Sequence, residues 1–150
     1  MLVDHVKPSR LHLMDAWYLE GEEWTWGAGN RSTIAALVNI IGHHQRELVS
    51  GQVVLNIGWD LDLLPAFPDG YFDWVYLDTS HQYEQTAREL ELLRTKVKAT
   101  GIISGDDWYA SLAHLHHGVF KAVNEFIEKS PYILAYADKH DLQWAIRQSS

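Results

Sequence analysis

"FDWVYLDTSHQYEQTARELELLRTKVKATGIISGDDWY", residues 72–109, decides how the chain is read. Near each end a short run of branched and aromatic residues stops at an acid: Val75, Tyr76 and Leu77 lead to Asp78, and Ile102 and Ile103 lead through Ser104-Gly105 to Asp106 and Asp107. Such runs read as strands. Between them Tyr83, Ala87, Leu90, Leu93 and Val97 recur at steps of three and four, which places them on one face of a helix. Thr79 with Gln82 three residues later reads as a capping box that opens this helix. A strand, a helix and a strand in succession make a parallel pair, because parallel strands need a long crossover.

The same plan extends in both directions. "SRLHLMD" (9–15) and "QVVLNIG" (52–58) read as two further strands, each stopping at an acid or a glycine. Ile34, Leu37, Val38, Ile41 and Leu48 mark a helix between them, with Ser32 at its start, and Val119, Ala122, Val123, Phe126 and Ile127 mark a third helix. After it, "PYILAYA" and "LQWAIR" are joined only by "DKHD", a connection short enough for an antiparallel pair. "WYLEGEEWTWGAGN" (17–30) reads as an irregular loop. The expected fold is α/β: a Rossmann-like, mostly parallel sheet with helices on both faces and a C-terminal antiparallel strand pair, in one domain over 1–150.

Composition narrows the function. The formal charge is −8 and the basic residues are scattered, which argues against a chain that tracks nucleic-acid phosphates. No apolar run approaches the roughly 18 to 20 residues that cross a bilayer, and "MLVDHVKPSR" is unlike a secretory signal. Cysteine is absent, so thiolate metal sites and thiol nucleophiles are excluded. We therefore expect a soluble, cytoplasmic protein that binds neither membrane nor nucleic acid. No G-x-S-x-G turn and no phosphate-binding G-x-x-x-x-G-K-[ST] loop is present.

What remains is acidic. Ligands of open α/β sheets bind beyond the carboxyl ends of the strands, and here those ends carry Asp15, Gly58-Trp59-Asp60, Asp78 and Gly105-Asp106-Asp107. Neighbouring strands lie about 4.8 Å apart, so Asp78 is expected to meet the Asp106-Asp107 pair if their strands are adjacent. Carboxylates that close repel one another unless a cation holds them ionised, and an all-oxygen set suits Mg²⁺, Ca²⁺ or Mn²⁺. The other reading of an acid after a strand is a helix N-cap or a solvated loop residue. His114, His116 and His117 in "HLHHG", and His43-His44, lack the H-E-x-x-H spacing of zinc hydrolases and read as surface or helix-start residues.

These motifs together resemble class I S-adenosylmethionine-dependent methyltransferases, in the branch of small-molecule and macrolide sugar O-methyltransferases. The strand ending in Asp, the His-x-Tyr-Glu helix start, and the strand ending in Gly-Asp-Asp-aromatic carry the likeness, and "GVFKAVNEFI" (118–127) continues it. The resemblance implies S-adenosylmethionine as methyl donor, with Asp15 at its ribose and Trp59 and Asp60 flanking its adenine. It implies Mg²⁺ (or Mn²⁺ or Ca²⁺) at Asp78, Asp106 and Asp107, with Asp78 counted also in the donor-binding set, and it makes His81 a candidate base or, equally, an exposed first-turn residue. The partner is then a small-molecule acceptor; Trp17, Trp24, Trp26, Trp108 and Tyr109 either offer it aromatic faces or, equally, only pack against the sheet.

Two departures from the family stand out. Thr79-Ser80 replaces the Gly-Asp that often follows the metal-binding Asp. Met1 falls just before the family's second strand, so the first strand and its glycine-rich turn are missing from this sequence; Gly27-x-Gly29, with no strand before it, is assigned to the loop. The edge left by the missing strand favours self-association, a possible homo-oligomer. Against the methyltransferase stands a non-catalytic Rossmann-like remnant or fragment that keeps an acidic metal- or ligand-binding rim.

Overall fold

The computed structural model describes residues 2–21, 23–26 and 29–149. Contacts gather in two compact units, residues 1–63 and 64–150. The first contains α1 (Leu2–Val6), β1 (Leu11–Asp15), a 3-10 turn (Trp17–Glu20), β2 (Glu23–Trp26), β3 (Gly29–Ser32), α2 (Thr33–His43), α3 (Gln45–Ser50), β4 (Val53–Ile57) and α4 (Asp60–Leu63). Strands β1 and β4 pair in parallel from Leu11↔Val53 to Asp15↔Ile57, so both end level.

Residues 17–30, expected to be irregular, instead hold the 3-10 turn and the antiparallel pair β2–β3. The aromatic and β-branched alternation of "EWTW" favours a strand, and the acids and glycines around it hide that signal. Gly27 of the expected Gly-x-Gly loop lies outside the described residues. Ser32 behaves as expected: its backbone is extended and its hydroxyl accepts from the Ala35 N–H at 3.1 Å.

The face that α2 buries is rotated from the one expected. Thr33 is buried and Ala36, Leu37 and Ile40 are half-buried, whereas Ile34, Val38 and Ile41 are 48, 58 and 40% exposed. Helix α2 packs on the 3-10 turn, β3 and α3, which are short elements. They cover a stripe narrower than the apolar arc the sequence supplies.

The second unit runs from a 3-10 turn (Leu64–Ala66) through β5 (Phe72–Leu77), α5 (Tyr83–Lys96), β6 (Val97–Gly105), α6 (His117–Lys129), β7 (Tyr132–Ala137) and β8 (Trp144–Gln148). The sheet order is β5-β6-β8-β7, with β5 and β6 parallel and β8 antiparallel to both β6 and β7. The fold is thus mixed α/β, with parallel pairing, helices and the expected C-terminal antiparallel pair. Helices α5 and α6 pack together and onto β6 and β7, and the core between them is Leu90, Leu93, Ile103, Val123, Tyr132, Trp144 and Ile146, all nearly inaccessible to solvent. Trp74, Tyr76 and Ile102, by contrast, remain partly exposed. Among the described residues no helix is long and apolar enough to cross a membrane.

The expected capping box does not form. Helix α5 starts at Tyr83, with Gln82 as an N-cap that makes no side-chain cap bond, and the Thr86 hydroxyl donates to the Gln82 carbonyl at 3.0 Å. Residues 78–82 are taken up by a turn that carries His81 at a φ of 60°. This turn is held from the other side by α6. A Cβ on Gly118 would lie 2.6 Å from the Tyr83 backbone nitrogen and 3.1 Å from the His81 carbonyl oxygen. Only a residue without a side chain lets α6 come this near. Gly105 serves the strand ends in the same way, since a Cβ there would meet the Leu77 carbonyl oxygen at 2.6 Å and the Trp144 ring at 2.7 Å.

Gly118→Ala is therefore expected to destabilise the protein by about 1–3 kcal/mol. Gly42→Ala, in a helix where a Cβ meets nothing within 4 Å, is expected to gain about 0.5–1 kcal/mol. Denaturant midpoints of the two variants check both, and equal midpoints would refute the close approach at Gly118.

Candidate functional site

Leu77 and Gly105 are register partners at the ends of β5 and β6, so the residues that follow, Asp78 and Asp106, leave the sheet side by side. The N–H of Asp106 still donates to the Leu77 carbonyl at 3.2 Å. Beyond that point the two chains diverge. Asp106 turns its Oδ1 back to the N–H of Asp107 at 2.8 Å, and its carbonyl accepts the Trp144 indole N–H at 2.9 Å. Asp107 adopts a φ of 64°, in the left-handed region that a non-glycine residue enters at a cost. The surroundings hold it there: the next N–H, of Trp108, donates to the Leu142 carbonyl at 2.9 Å, and that of Tyr109 to the Asp107 carbonyl at 2.7 Å.

This reversal aims the Asp107 carboxylate at two imidazoles. Its Oδ2 lies 3.0 Å from His81 Nε2 and its Oδ1 2.8 Å from His116 Nδ1. His81 Nε2 is also 3.1 Å from Asp78 Oδ1, so one ring nitrogen serves two carboxylates. The His81 and His116 rings lie 4.6 Å apart, centre to centre. Asp107 is the most enclosed of the set, with a side chain only 13% exposed, whereas that of Asp78 is 61% exposed.

Three acids at one sheet edge repel one another, and they favour the protonated form of the His81 imidazole between them. The hydrogen bond to Asp78 raises its pKa above the ordinary 6.5; partial burial opposes this, and the charges of Asp107, Asp78 and Asp106 add to it. Reciprocally, the bond from His81 holds the Asp78 carboxyl below the usual carboxylate value, again against partial burial. Burial is the largest cause that pushes the Tyr76 phenol up; its hydrogen bond to Gln143 opposes this, and the nearby carboxylates contribute.

The structure thus brings Asp78, His81 and Asp107 together, while Asp106 Oδ1 accepts its neighbour's N–H. It also adds His116, expected to be a surface or helix-start residue. His116 is indeed the N-cap position of α6, and from there its ring reaches Asp107. Nothing in "HLHHG" announces this, because the contact depends on how the chain folds back between residues 107 and 116. One nitrogen of each imidazole and one Asp107 oxygen lie within 4.8 Å of one another, an arrangement able to hold a metal ion.

The donor-side candidates lie in the first unit. Asp15, at the end of β1, accepts the Trp17 N–H at 2.5 Å, and its carbonyl accepts from Gly58 at 3.0 Å. Trp59 and Asp60 follow immediately, so Asp15 and this pair share one end of the β1–β4 sheet, with Trp59 44% exposed. Of the aromatic residues considered for an acceptor, Trp17 and Trp108 are buried, Trp108 lying 4.7 Å from the Phe120 ring. Tyr109 stacks on His114 at 3.4 Å. The Trp24 and Trp26 side chains lie outside the described residues.

A family model described as a methyltransferase domain matches residues 1–108. No curated protein sequence matches. Among solved structures the chain is similar to the O-methyltransferase NovP, with 20% identity and a TM-score of 0.63 over 99% of this chain and 64% of that one. It is similar to the SAH-bound Podospora anserina methyltransferase PaMTH1, with 17% identity and a TM-score of 0.61 over 99% of this chain and 75% of that one. It is also similar to the apo form of CalS11, a TDP-rhamnose 3'-O-methyltransferase of calicheamicin biosynthesis, with 19% identity and a TM-score of 0.60 over 94% of this chain and 58% of that one. The chain thus spans under two thirds of NovP and CalS11, and at these identities the likeness is one of fold.

In ion-free protein the His81 ring proton signals are expected to titrate with a midpoint above 6.5, and Asp78→Asn is expected to lower that midpoint. Because the folded value is raised, the stabilisation by this imidazolium is complete below pH 6.5 and fades as pH rises through the folded value. A midpoint at or below 6.5 in a proton NMR titration would contradict the shared hydrogen bond.

Proposed function

The chain belongs to the methyltransferase-domain family that its residues 1–108 match, within the class I S-adenosylmethionine-dependent enzymes, and from that premise we propose that it methylates a hydroxyl group of a small-molecule acceptor. The observation that carries the reading is the His81 Nε2 held between Asp78 and Asp107 at the ends of β5 and β6. Support for an oxygen acceptor comes from NovP and CalS11, both described as O-methyltransferases, and support for the donor from PaMTH1 with its bound SAH.

In this reading a lone pair of the acceptor oxygen attacks the donor methyl carbon. The carbon–sulfur bond breaks with its electrons passing to sulfur, and the sulfonium becomes a neutral thioether. The hydroxyl proton goes to neutral His81. The carboxylates that stabilise the resulting imidazolium make this imidazole a stronger base than a free one. Asp15 is assigned to the ribose hydroxyls of the donor, and Trp59 and Asp60 to its adenine, because an exposed indole beside a strand end offers a flat apolar surface to a purine.

The resemblance also implies Mg²⁺ at Asp78, Asp106 and Asp107. The side chains do not form an all-oxygen set of that kind: among the described residues the group whose ligand atoms lie within 4.8 Å of one another is His81, Asp107 and His116, not the three aspartates. Mg²⁺ demands near-octahedral oxygen coordination. No step of the reaction is assigned to it.

Calorimetric titration with S-adenosylmethionine, followed by methyl transfer to a panel of phenolic and sugar hydroxyls, tests the proposal. His81→Gln is expected to lower kcat/KM by about 10²–10⁴-fold with donor affinity unchanged, since proton transfer contributes on that scale. Trp59→Ala is expected to weaken the donor instead. Failure of the unaltered chain to bind the donor would leave a non-catalytic Rossmann-like module as the better reading.

A further inference from the structure

We propose that His81, Asp107 and His116 form a binding site for a divalent ion of the zinc and cobalt class, and that this ion, once bound, keeps His81 from its proton-taking role. The second half rests on the methyl-transfer reading above; the first stands without it.

The donors decide the class of ion. Two imidazole nitrogens and one carboxylate oxygen are a borderline set that suits Zn²⁺ and its neighbours in the first transition row, and three protein ligands leave a coordination position open. Both imidazole nitrogens already face the same carboxylate, at 2.8 and 3.0 Å. The ion takes the place of the N–H hydrogens that now bridge these atoms, and the displaced protons pass to the other ring nitrogens or to water. Side-chain exposures of 21% for His81, 28% for His116 and 13% for Asp107 leave the group reachable yet enclosed.

A second layer of contacts holds the ligands. The N–H of His116 donates to His114 Nδ1 at 3.1 Å, and the His114 ring is stacked on Tyr109. His117 Nδ1 is bonded to the Tyr109 carbonyl at 3.0 Å. This frame fixes the segment that carries His116, and partners of this kind tune metal affinity. On the opposite side, Gly118 lets α6 come close against the backbone of His81 and Tyr83. With His81 Nε2 given to the ion and the ring's hydrogen moved to Nδ1, neither nitrogen of this imidazole is left to take the acceptor's proton.

The test uses the full chain stripped with a chelator and titrated with Co²⁺, whose visible absorption reports nitrogen and oxygen ligands directly. One equivalent is expected to bind, to be displaced by Zn²⁺, and to be unaffected by a large excess of Mg²⁺. His116→Ala and His116→Gln are each expected to weaken Co²⁺ about tenfold or more, with circular dichroism confirming that both are folded. No spectrum, displacement by Mg²⁺, or an unchanged spectrum in both folded variants would overturn the site. Donor binding on the same samples separates the two readings: S-adenosylmethionine binding without a Co²⁺ spectrum defeats the metal site alone, and the reverse defeats methyl transfer alone. Where turnover is seen, Zn²⁺ at one equivalent is expected to suppress it and a chelator to restore it; turnover indifferent to occupancy would overturn the antagonism.

Discussion

Parallel strands that end level oblige the residues after them to share a small space, and after β5 and β6 those residues are acidic. The site follows from how that repulsion is relieved. One aspartate is turned away, its carboxylate closing on a neighbouring amide; the other two take hold of a single imidazole nitrogen. Both residues that make this possible, His81 and Asp107, hold left-handed backbone conformations. Such conformations persist only where the surroundings over-determine them. Here the latch of Trp108 to Leu142 and the packing of Gly118 do so.

Much of the fold was legible because it rests on periodicity. The βαβ stretch from Phe72 to Gly105 shows strand runs at both ends and a three-and-four step between them, and the structure places β5, α5 and β6 there. The antiparallel closing pair was readable from a connection too short for any crossover. Where local signals competed with packing they misled. Thr79 and Gln82 have the spacing of a capping box, yet the chain between them is used to present His81, and the helix waits until Tyr83. In α2 the sequence offers an apolar arc wider than its short neighbours cover, so the side chains that end up inward could not be chosen from the pattern alone.

For the site, the sequence gives identity but not aim. Asp78, Asp106 and Asp107 were recognisable as strand-end acids, but which carboxylate turns inward is set by the backbone angle at Asp107 and the hydrogen bonds after it. His116 was hidden for a different reason. It stands nine positions after its partner across an irregular segment, and the feature that brings it home is a glycine two residues on, whose meaning appears only once α6 is seen against the start of α5.

Helix α5 passes into β6 without a connecting residue, Lys96 closing one and Val97 opening the other. Most helix-to-strand junctions have a loop in which a change of chain length can be absorbed. Here the irregular stretch lies inside the strand instead. Between Val97, opposite Phe72, and Ile102, opposite Trp74, β6 carries three more residues than β5 does over the same span. A change of chain length between Val97 and Ile102 can be absorbed there, whereas one between Ile102 and Gly105 would shift the paired strand by one place, which exchanges its two faces. Natural variation in the length of this crossover should therefore fall before Ile102.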